Sequence, residues 1–245
     1  MKNRYIIILF SILFISCESS DVEVQVPENK NRIKQITTKV GNDETILRFV
    51  YNGDSYQCYS AKNKSNEDII TLAYHNGLIK TSGRIFENAE YFYENNNVSE
   101  IHIGSPEVNE IYKFFYNTDN QLEKSEHYNS SYFNLSTLFE YTIFEYDENG
   151  NNSRTNFYKA DSTLFRYEIN TFDNKNNIFK YFDPKIVIRD LNPYGNNLIK
   201  KIQYYYENTP TTFNYEYIYN ENNFPTKATV TSSENETVYY EYIYD

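Results

Sequence analysis

The sequence predicts an all-β protein: a long antiparallel meander that forms one twisted, curved sheet or a partly closed barrel. Aromatic residues alternate with other residues in short segments such as YEYIY (215–219) and VYYEYIY (238–244), which is the strand pattern. Asn, Asp or Gly follows most of these segments, and these residues accept the positive φ angles of tight turns. No long segment carries apolar residues at helical spacing. A two-sheet β-sandwich is the alternative fold.

The N-terminus predicts an export signal and an anchor. Lys2 and Arg4 precede an apolar run, Tyr5–Ile15, that is too short to span a bilayer but typical of a secretory signal. The end of the run, FISC, resembles the bacterial lipobox, and this resemblance implies that Cys17 is lipidated after cleavage. An ordinary signal peptide is the alternative. We therefore expect a signal peptide at 1–16, a lipidated cysteine with a flexible tether at 17–31, and a single repeat-built β domain at 32–245.

A repeated theme organises that domain. Each copy has an aromatic anchor at the end of a strand, then an acid or Asn, polar turn residues and a second strand. The copies are FVYNGDSY, LAYHNGLIK, YFYENNNVSEI, FFYNTDNQLEK, FEYDENGNNSR, NTFDNKNNIFK, YIYNENNFPTK and the closing YEYIYD. Each repeat is long enough for two strands. The theme fails at DPKIVIRDLNPYGNN (183–197), which predicts a long functional loop or a cap.

These units resemble the YD-type repeats of large secreted bacterial shells. With Cys17, they also resemble uncharacterised Gram-negative outer-membrane lipoproteins, which fold as a long curved sheet sometimes described as porin-like. The resemblance implies an outer-membrane location, with the membrane face left open, and it brings no catalytic residues.

Charge and cysteine content exclude several classes. The chain has 23 Lys and Arg against 34 Asp and Glu, a net charge of -11, which disfavours nucleic-acid partners. Apart from Cys17, only Cys58 remains, so an intrachain disulfide is not expected. We interpret Cys58 as a small buried apolar residue.

No catalytic, cofactor or metal site is predicted. In FEYDENGNNSR (144–154) the glycine is misplaced for a calcium loop of the helix-loop-helix type, so turn chemistry is the better interpretation. His75, His102 and His127 fall in different units, although adjacent strands could bring the last two together. Neither a nucleophile elbow nor a phosphate-binding glycine loop is present.

The tyrosine stripes are the strongest candidate binding surface. One stripe is Tyr215, Tyr217 and Tyr219, and the other is Tyr240, Tyr242 and Tyr244. Exposed Tyr faces could stack on sugars, but the same residues could simply stabilise the sheet. Ser162, in Asp161-Ser162-Thr163, resembles an acceptor for bacterial O-glycosylation.

Three functions remain open. The first is a non-enzymatic, membrane-anchored envelope lipoprotein that presents a β surface to an envelope protein, for binding or scaffolding. The second is a carbohydrate-binding lipoprotein that uses exposed Tyr faces. The third is an envelope hydrolase with its site near 183–197.

Overall fold

The protein folds as a β-barrel. The computed structural model describes residues 12–14, 31–51, 58–76, 78–84, 88–104, 109–130, 136–180, 186–188, 196–206 and 209–245. The barrel strands in these ranges are β2 (Ile33–Val40), β3 (Asp43–Tyr51), β4 (Cys58–Lys62), β5 (Asp68–His75), β6 (Leu78–Arg84), β7 (Asn88–Glu94), β8 (Asn97–Gly104), β9 (Asn109–Tyr116), β10 (Leu122–Ser130), β11 (Ser136–Tyr146), β12 (Asn152–Lys159), β13 (Leu164–Phe172), β15 (Leu198–Tyr205), β16 (Thr211–Tyr219), β17 (Pro225–Ser232) and β18 (Thr237–Tyr244). A separate two-stranded sheet pairs β1 (Ile12–Phe14) with β14 (Ile186–Ile188).

The all-β antiparallel meander is confirmed, and the sheet is fully closed. Each barrel strand pairs with its neighbours along the chain, and β18 pairs with β2 from Val238↔Val40 to Tyr244↔Ile33. The barrel alternative of the prediction is therefore supported, although closure is complete rather than partial, whereas the open sheet and the two-sheet sandwich were wrong. Closure satisfies the backbone groups that the first and last strands would otherwise expose as free edges.

The meander consists of two-stranded units, and every unit begins and ends at the same end of the barrel. The second strand of each unit ends with the aromatic anchor of the sequence theme, for example Tyr51 in β3 and Tyr146 in β11. We call this the tyrosine end. Where one unit meets the next, the register shifts by one residue at this end. Such bulges increase the local twist, which helps the sheet to close.

The hydrophobic core lies mainly at the tyrosine end. Most of the largest fully buried side chains sit at the first residues of a unit, including Ile33, Val98 and Phe224. The segment after β13 folds against this core, and its Ile178 and Phe179 are buried. Phe179 meets Phe49 of β3 edge-to-face at 6.3 Å. Residues 173–180 therefore pack against the core at this end of the barrel, whereas most of 183–197, where a functional loop or a cap was expected, lies outside the described residues.

Within the described ranges there is no helix, and so none long and apolar enough to cross a membrane.

Candidate functional site

The stretch around Asp147 is a turn, as the sequence interpretation held. The Asp147 Oδ1 atom accepts hydrogen bonds from the backbone N–H groups of Asn149 at 2.9 Å and Asn151 at 2.8 Å, and Oδ2 accepts one from Asn151 Nδ2 at 3.0 Å. Gly150 follows with φ 78°. Partial burial raises the pKa of Asp147, but these hydrogen bonds outweigh it and hold the pKa below its ordinary value. Both carboxylate oxygens therefore serve the turn.

The same turn recurs after β9 and after β16, where the theme supplies Asn at this position. Asn117 Oδ1 accepts from the N–H groups of Asp119 and Gln121, and Asn220 Oδ1 accepts from those of Asn222 and Phe224. The residue that corresponds to Gly150 is then Asn120 or Asn223, each with positive φ. Asn tolerates this conformation better than most residues, which explains its abundance in the turns.

Tyrosine hydroxyls tie each unit together at the tyrosine end. A tyrosine near the end of the second strand donates to the backbone carbonyl of a residue at the start of the first strand, as in Tyr116 to Val98 at 2.9 Å and Tyr146 to Leu122 at 2.8 Å. The other tyrosine donors of this kind are Tyr51, Tyr74, Tyr93, Tyr217 and Tyr244. In the remaining unit Asn170 Nδ2 donates to the Asn152 carbonyl at 3.1 Å instead. These tyrosines therefore stabilise the fold by linking the two strands of each unit.

The two predicted tyrosine stripes face the barrel interior. Tyr240, Tyr242 and Tyr244 pack against the buried core, and burial raises the pKa of Tyr240 to about 12 and that of Tyr242 well above its ordinary value. Tyr215, Tyr217 and Tyr219 share the same inner face through β17, since Tyr217 pairs with Ala228 and Ala228 with Tyr240. The stripes therefore line the barrel interior rather than an exposed outer surface; this position suits the alternative interpretation, stabilisation of the sheet, and their role as a binding surface stays a prediction. The sheet closes with these aromatic faces inward, where their rings escape water.

The outer wall carries charged residues paired across neighbouring strands. Lys80 Nζ lies 2.7 Å from Glu90 Oε1, and Lys113 Nζ lies 3.4 Å from Glu100 Oε1. Further pairs across strands are Lys39–Glu44, Lys39–Glu241, Lys227–Glu241 and Arg154–Glu145, and Lys124 pairs with Glu126 within β10. Most of these side chains are about half exposed, so the outer wall is polar at these positions.

A second set of tyrosines, which the sequence interpretation missed, lies on this outer wall. Tyr141 and Tyr158 stack with ring centroids 4.9 Å apart, and Tyr167 and Tyr204 stack at 4.3 Å. None of the four hydroxyls hydrogen-bonds to the described part of the chain. Their sequence signal was available but weak: they do not belong to the aromatic-x-aromatic pattern that ends at a turn.

Cations complete this outer cluster. Lys124 Nζ lies over the rings of Tyr141 at 5.0 Å and of Phe115 at 5.6 Å. Arg154 lies over Tyr167 at 4.6 Å. We call Phe115, Lys124, Tyr141, Arg154, Tyr158, Tyr167 and Tyr204 the cation–aromatic ladder. Each stacked ring has at least one face covered by a neighbour, so the ladder presents ring edges, hydroxyls and cations more than open ring faces.

Polar side chains also occupy part of the inner wall. Glu168 and Lys201 are almost fully buried and lie 3.3 Å apart, and Gln203 Nε2 donates to Glu168 at 2.8 Å. His127 stacks on Tyr112 at 4.4 Å, with its nitrogens 3.6 Å from Glu110 and 3.7 Å from Glu140. These His127 contacts are longer than hydrogen bonds.

The histidines are not brought together. His102 lies on the outer face of β8 and contacts Glu100 at 2.9 Å, while His127 lies inside on β10. His75 ends β5 and is exposed. In the part of the chain that the structure describes, no group of three or more His, Cys, Asp or Glu is placed to hold a metal ion.

The remaining predicted residues fall in different places. Cys58 is buried as expected, and burial raises its pKa to about 12, which opposes a nucleophilic role. Ser162 is exposed in the β12–β13 turn with φ 68°, and its glycosylation stays a prediction. Cys17, the predicted tether at 17–31 apart from residue 31, and most of 183–197 lie outside the described residues.

Comparison with known proteins supports the fold. No protein-family model matches the chain, and no curated protein sequence matches it. The structure is similar to the crystal structure of a porin-like protein from Bacteroides uniformis, with 13% sequence identity and a TM-score of 0.62, over 89% of this chain and 98% of that one. The chain thus shares its β-barrel fold with that porin-like protein.

Proposed function

We propose that this protein is a non-enzymatic lipoprotein of the cell envelope, held at the outer membrane by Cys17, whose barrel stands in water and presents its outer wall for binding or scaffolding. The observation that carries this proposal is the set of paired charges on the outer wall. A barrel immersed in lipid presents a band of apolar residues outward, and Lys or Arg at the bilayer midplane costs about 2–4 kcal/mol each.

Several charged pairs lie within the strands, away from the turns. Lys80 and Glu90 join β6 to β7, and Glu100 and Lys113 join β8 to β9. Burying such half-exposed pairs in lipid would strip their water without a compensating gain. A separate anchor would therefore be needed for membrane attachment, and a lipidated Cys17 supplies one.

The cation–aromatic ladder is the surface we assign to a partner. Tyr and Arg are enriched at the centres of protein interfaces, where their large rigid side chains bury much area. Each stacked ring has one face covered by its partner, and a cation lies over Tyr141 and over Tyr167, so few ring faces are left for sugar stacking. This favours an envelope protein as the partner over a glycan. The hydrolase alternative gains no support, because most of 183–197 lies outside the described residues.

Fractionation of labelled cells tests the anchor. The wild type should incorporate radiolabelled palmitate and pellet with membranes, whereas Cys17→Ser should take up no label and move to the soluble fraction as a folded β protein. Cys58→Ala is the matched control and should behave like the wild type, because Cys58 is buried. A Cys17→Ser protein that had lost residues 1–16, as N-terminal sequencing would show, yet still pelleted with membranes and resisted carbonate extraction would show that the barrel itself is embedded, and the proposal would fail.

A further inference from the structure

We propose that the outer wall formed by β16, β17 and β18 rests on the lipid surface that holds the protein. This inference depends on the anchor at Cys17 and adds to it the orientation of the barrel.

The position where the chain enters the barrel supports this orientation. Residue 31 precedes β2 at the tyrosine end, and Arg32 binds the C-terminal residue, since its Nη2 lies 2.7 Å from Asp245 Oδ2. The backbone N–H of Asp245 also donates to the Arg32 carbonyl at 3.0 Å. The tether therefore leaves the barrel beside the end of β18.

The tether limits how far this wall can stand from the membrane. Residues 17–31 span at most about 50 Å when fully extended, and a flexible chain of that length has a typical end-to-end distance of about 20 Å. The anchor thus keeps the β18 side near the lipid at high local concentration, so that weak contacts become occupied.

Exposed apolar side chains cluster on this wall. Ile218 of β16 is 62% exposed, and Tyr239 and Ile243 of β18 are 52% and 48% exposed. All three lie around one cross-strand row, in which Ile218 pairs with Lys227 and Lys227 pairs with Glu241. Large apolar side chains exposed together on one wall indicate a contact surface.

The cations of the wall and of the adjoining strand β2 suit anionic headgroups. The Lys227 and Lys34 side chains are 59% and 60% exposed, and their long stems can lie along an apolar surface while the ammonium groups reach the headgroups. The neighbouring acids are paired: Glu241 with Lys39 and Lys227, and Asp245 with Arg32 and Lys34. Glu216, which faces outward beside Ile218 on β16, is exposed and has no ion pair in the described part of the chain, so the lysines and the apolar side chains must offset this one acid at an anionic membrane.

Site-specific fluorescence quenching tests the contact. Full-length lipidated protein carrying Ile218→Cys or Phe115→Cys is labelled with an environment-sensitive thiol dye and reconstituted into vesicles of phosphatidylethanolamine and phosphatidylglycerol. Phe115 is the matched control, because it is exposed on the outer face of β9, far from β16 in strand order. Buried Cys58 stays in place, and dye-treated wild type reports any label on it.

We expect lipids with a nitroxide near the headgroup to quench the dye at position 218 at least threefold more strongly than the dye at position 115, and Ile243→Cys to behave like Ile218→Cys. Equal, weak quenching at all three positions, with the protein still floating with the vesicles, would overturn the contact and leave the anchor intact. Failure to float would refute the anchor and the contact together.

Discussion

The tyrosines at the tyrosine end of the barrel and those on its outer wall have different roles. At the tyrosine end, Tyr116 and Tyr146 are partly buried and donate their hydroxyls to backbone carbonyls of the same unit. On the outer wall, Tyr158 and Tyr204 stack on neighbouring rings, and their hydroxyls make no bond to the described chain. The inner set should therefore stabilise the fold, and the outer set should serve contacts with other molecules.

Truncation to alanine should give the largest difference in stability between the inner and the outer tyrosines. Tyr116→Ala removes a ring that packs against the core and its hydrogen bond, and we expect the free energy of unfolding to fall by about 3–5 kcal/mol. Tyr158→Ala removes one stacked outer ring and should cost about 1 kcal/mol. Urea denaturation followed by circular dichroism measures both. Equal losses would mean that the outer stack belongs to the stabilising framework.

Alkaline pH should lower the stability of the fold mainly by favouring ionisation of the inner tyrosines. Burial raises the pKa of Tyr116 and of Tyr51 well above the ordinary value of 10, and that of Tyr240 to about 12. In the unfolded chain these groups lose their protons near pH 10, whereas the folded chain retains them. Their contribution is therefore complete below pH 10 and is lost progressively as the pH rises from 10 to 12 and beyond.

Denaturation at pH 9, 10.5 and 11.5 measures this slope. Tyr116→Phe removes one such group, and above pH 10 it should make the decline shallower by about 1.4 kcal/mol per pH unit. Tyr158→Phe is the matched outer substitution. A slope unchanged in Tyr116→Phe would show that this hydroxyl is accessible to water in the folded protein.

At neutral pH, loss of the hydroxyl alone should give a smaller difference in stability between the inner and the outer tyrosines. Tyr146→Phe leaves the Leu122 carbonyl without its donor and should cost about 1–2 kcal/mol. Tyr204→Phe should change the free energy of unfolding by less than about 0.5 kcal/mol, because the Tyr204 hydroxyl makes no hydrogen bond to the described part of the chain. If Tyr146→Phe left the free energy of unfolding unchanged, the Leu122 carbonyl would have found another hydrogen-bond donor.

The smallest expected effect concerns the turn at the tyrosine end. Asp147→Ala removes acceptors for the Asn149 and Asn151 N–H groups and should lower the melting temperature by a few degrees, in line with about 1 kcal/mol. Millimolar calcium should shift the melting temperature of neither protein. Calcium stabilisation of the wild type that is lost in Asp147→Ala would restore the metal interpretation.

The sequence predicted what local chemistry determines. Strand alternation and the Asn or Asp turns depend on residues a few positions apart, so the hairpins and the role of Asp147 could be read before the fold was known. Closure could not, because the pairing of Tyr244 with Ile33 joins the two ends of the domain and leaves no local pattern.

The sequence also did not predict which face of each strand points into the barrel. In YEYIY, alternation places Tyr215, Tyr217 and Tyr219 on one face and Glu216 and Ile218 on the other. It does not say which face is inside, and only the closed sheet turns the tyrosines inward. The cation–aromatic ladder was missed for a related reason: Tyr141, Tyr158, Tyr167 and Tyr204 come from four strands, and only their register brings them together.

The pairing of β18 with β2 has a consequence for how any partner can bind. In the described barrel every strand has a neighbour on both sides, so no row of backbone N–H and C=O groups is left for an incoming peptide to extend. Recognition by strand addition, a common route for β proteins, is therefore closed to this barrel. Whatever docks on its wall must recognise side chains, and the same closure protects a Tyr- and Asn-rich chain from edge-to-edge aggregation.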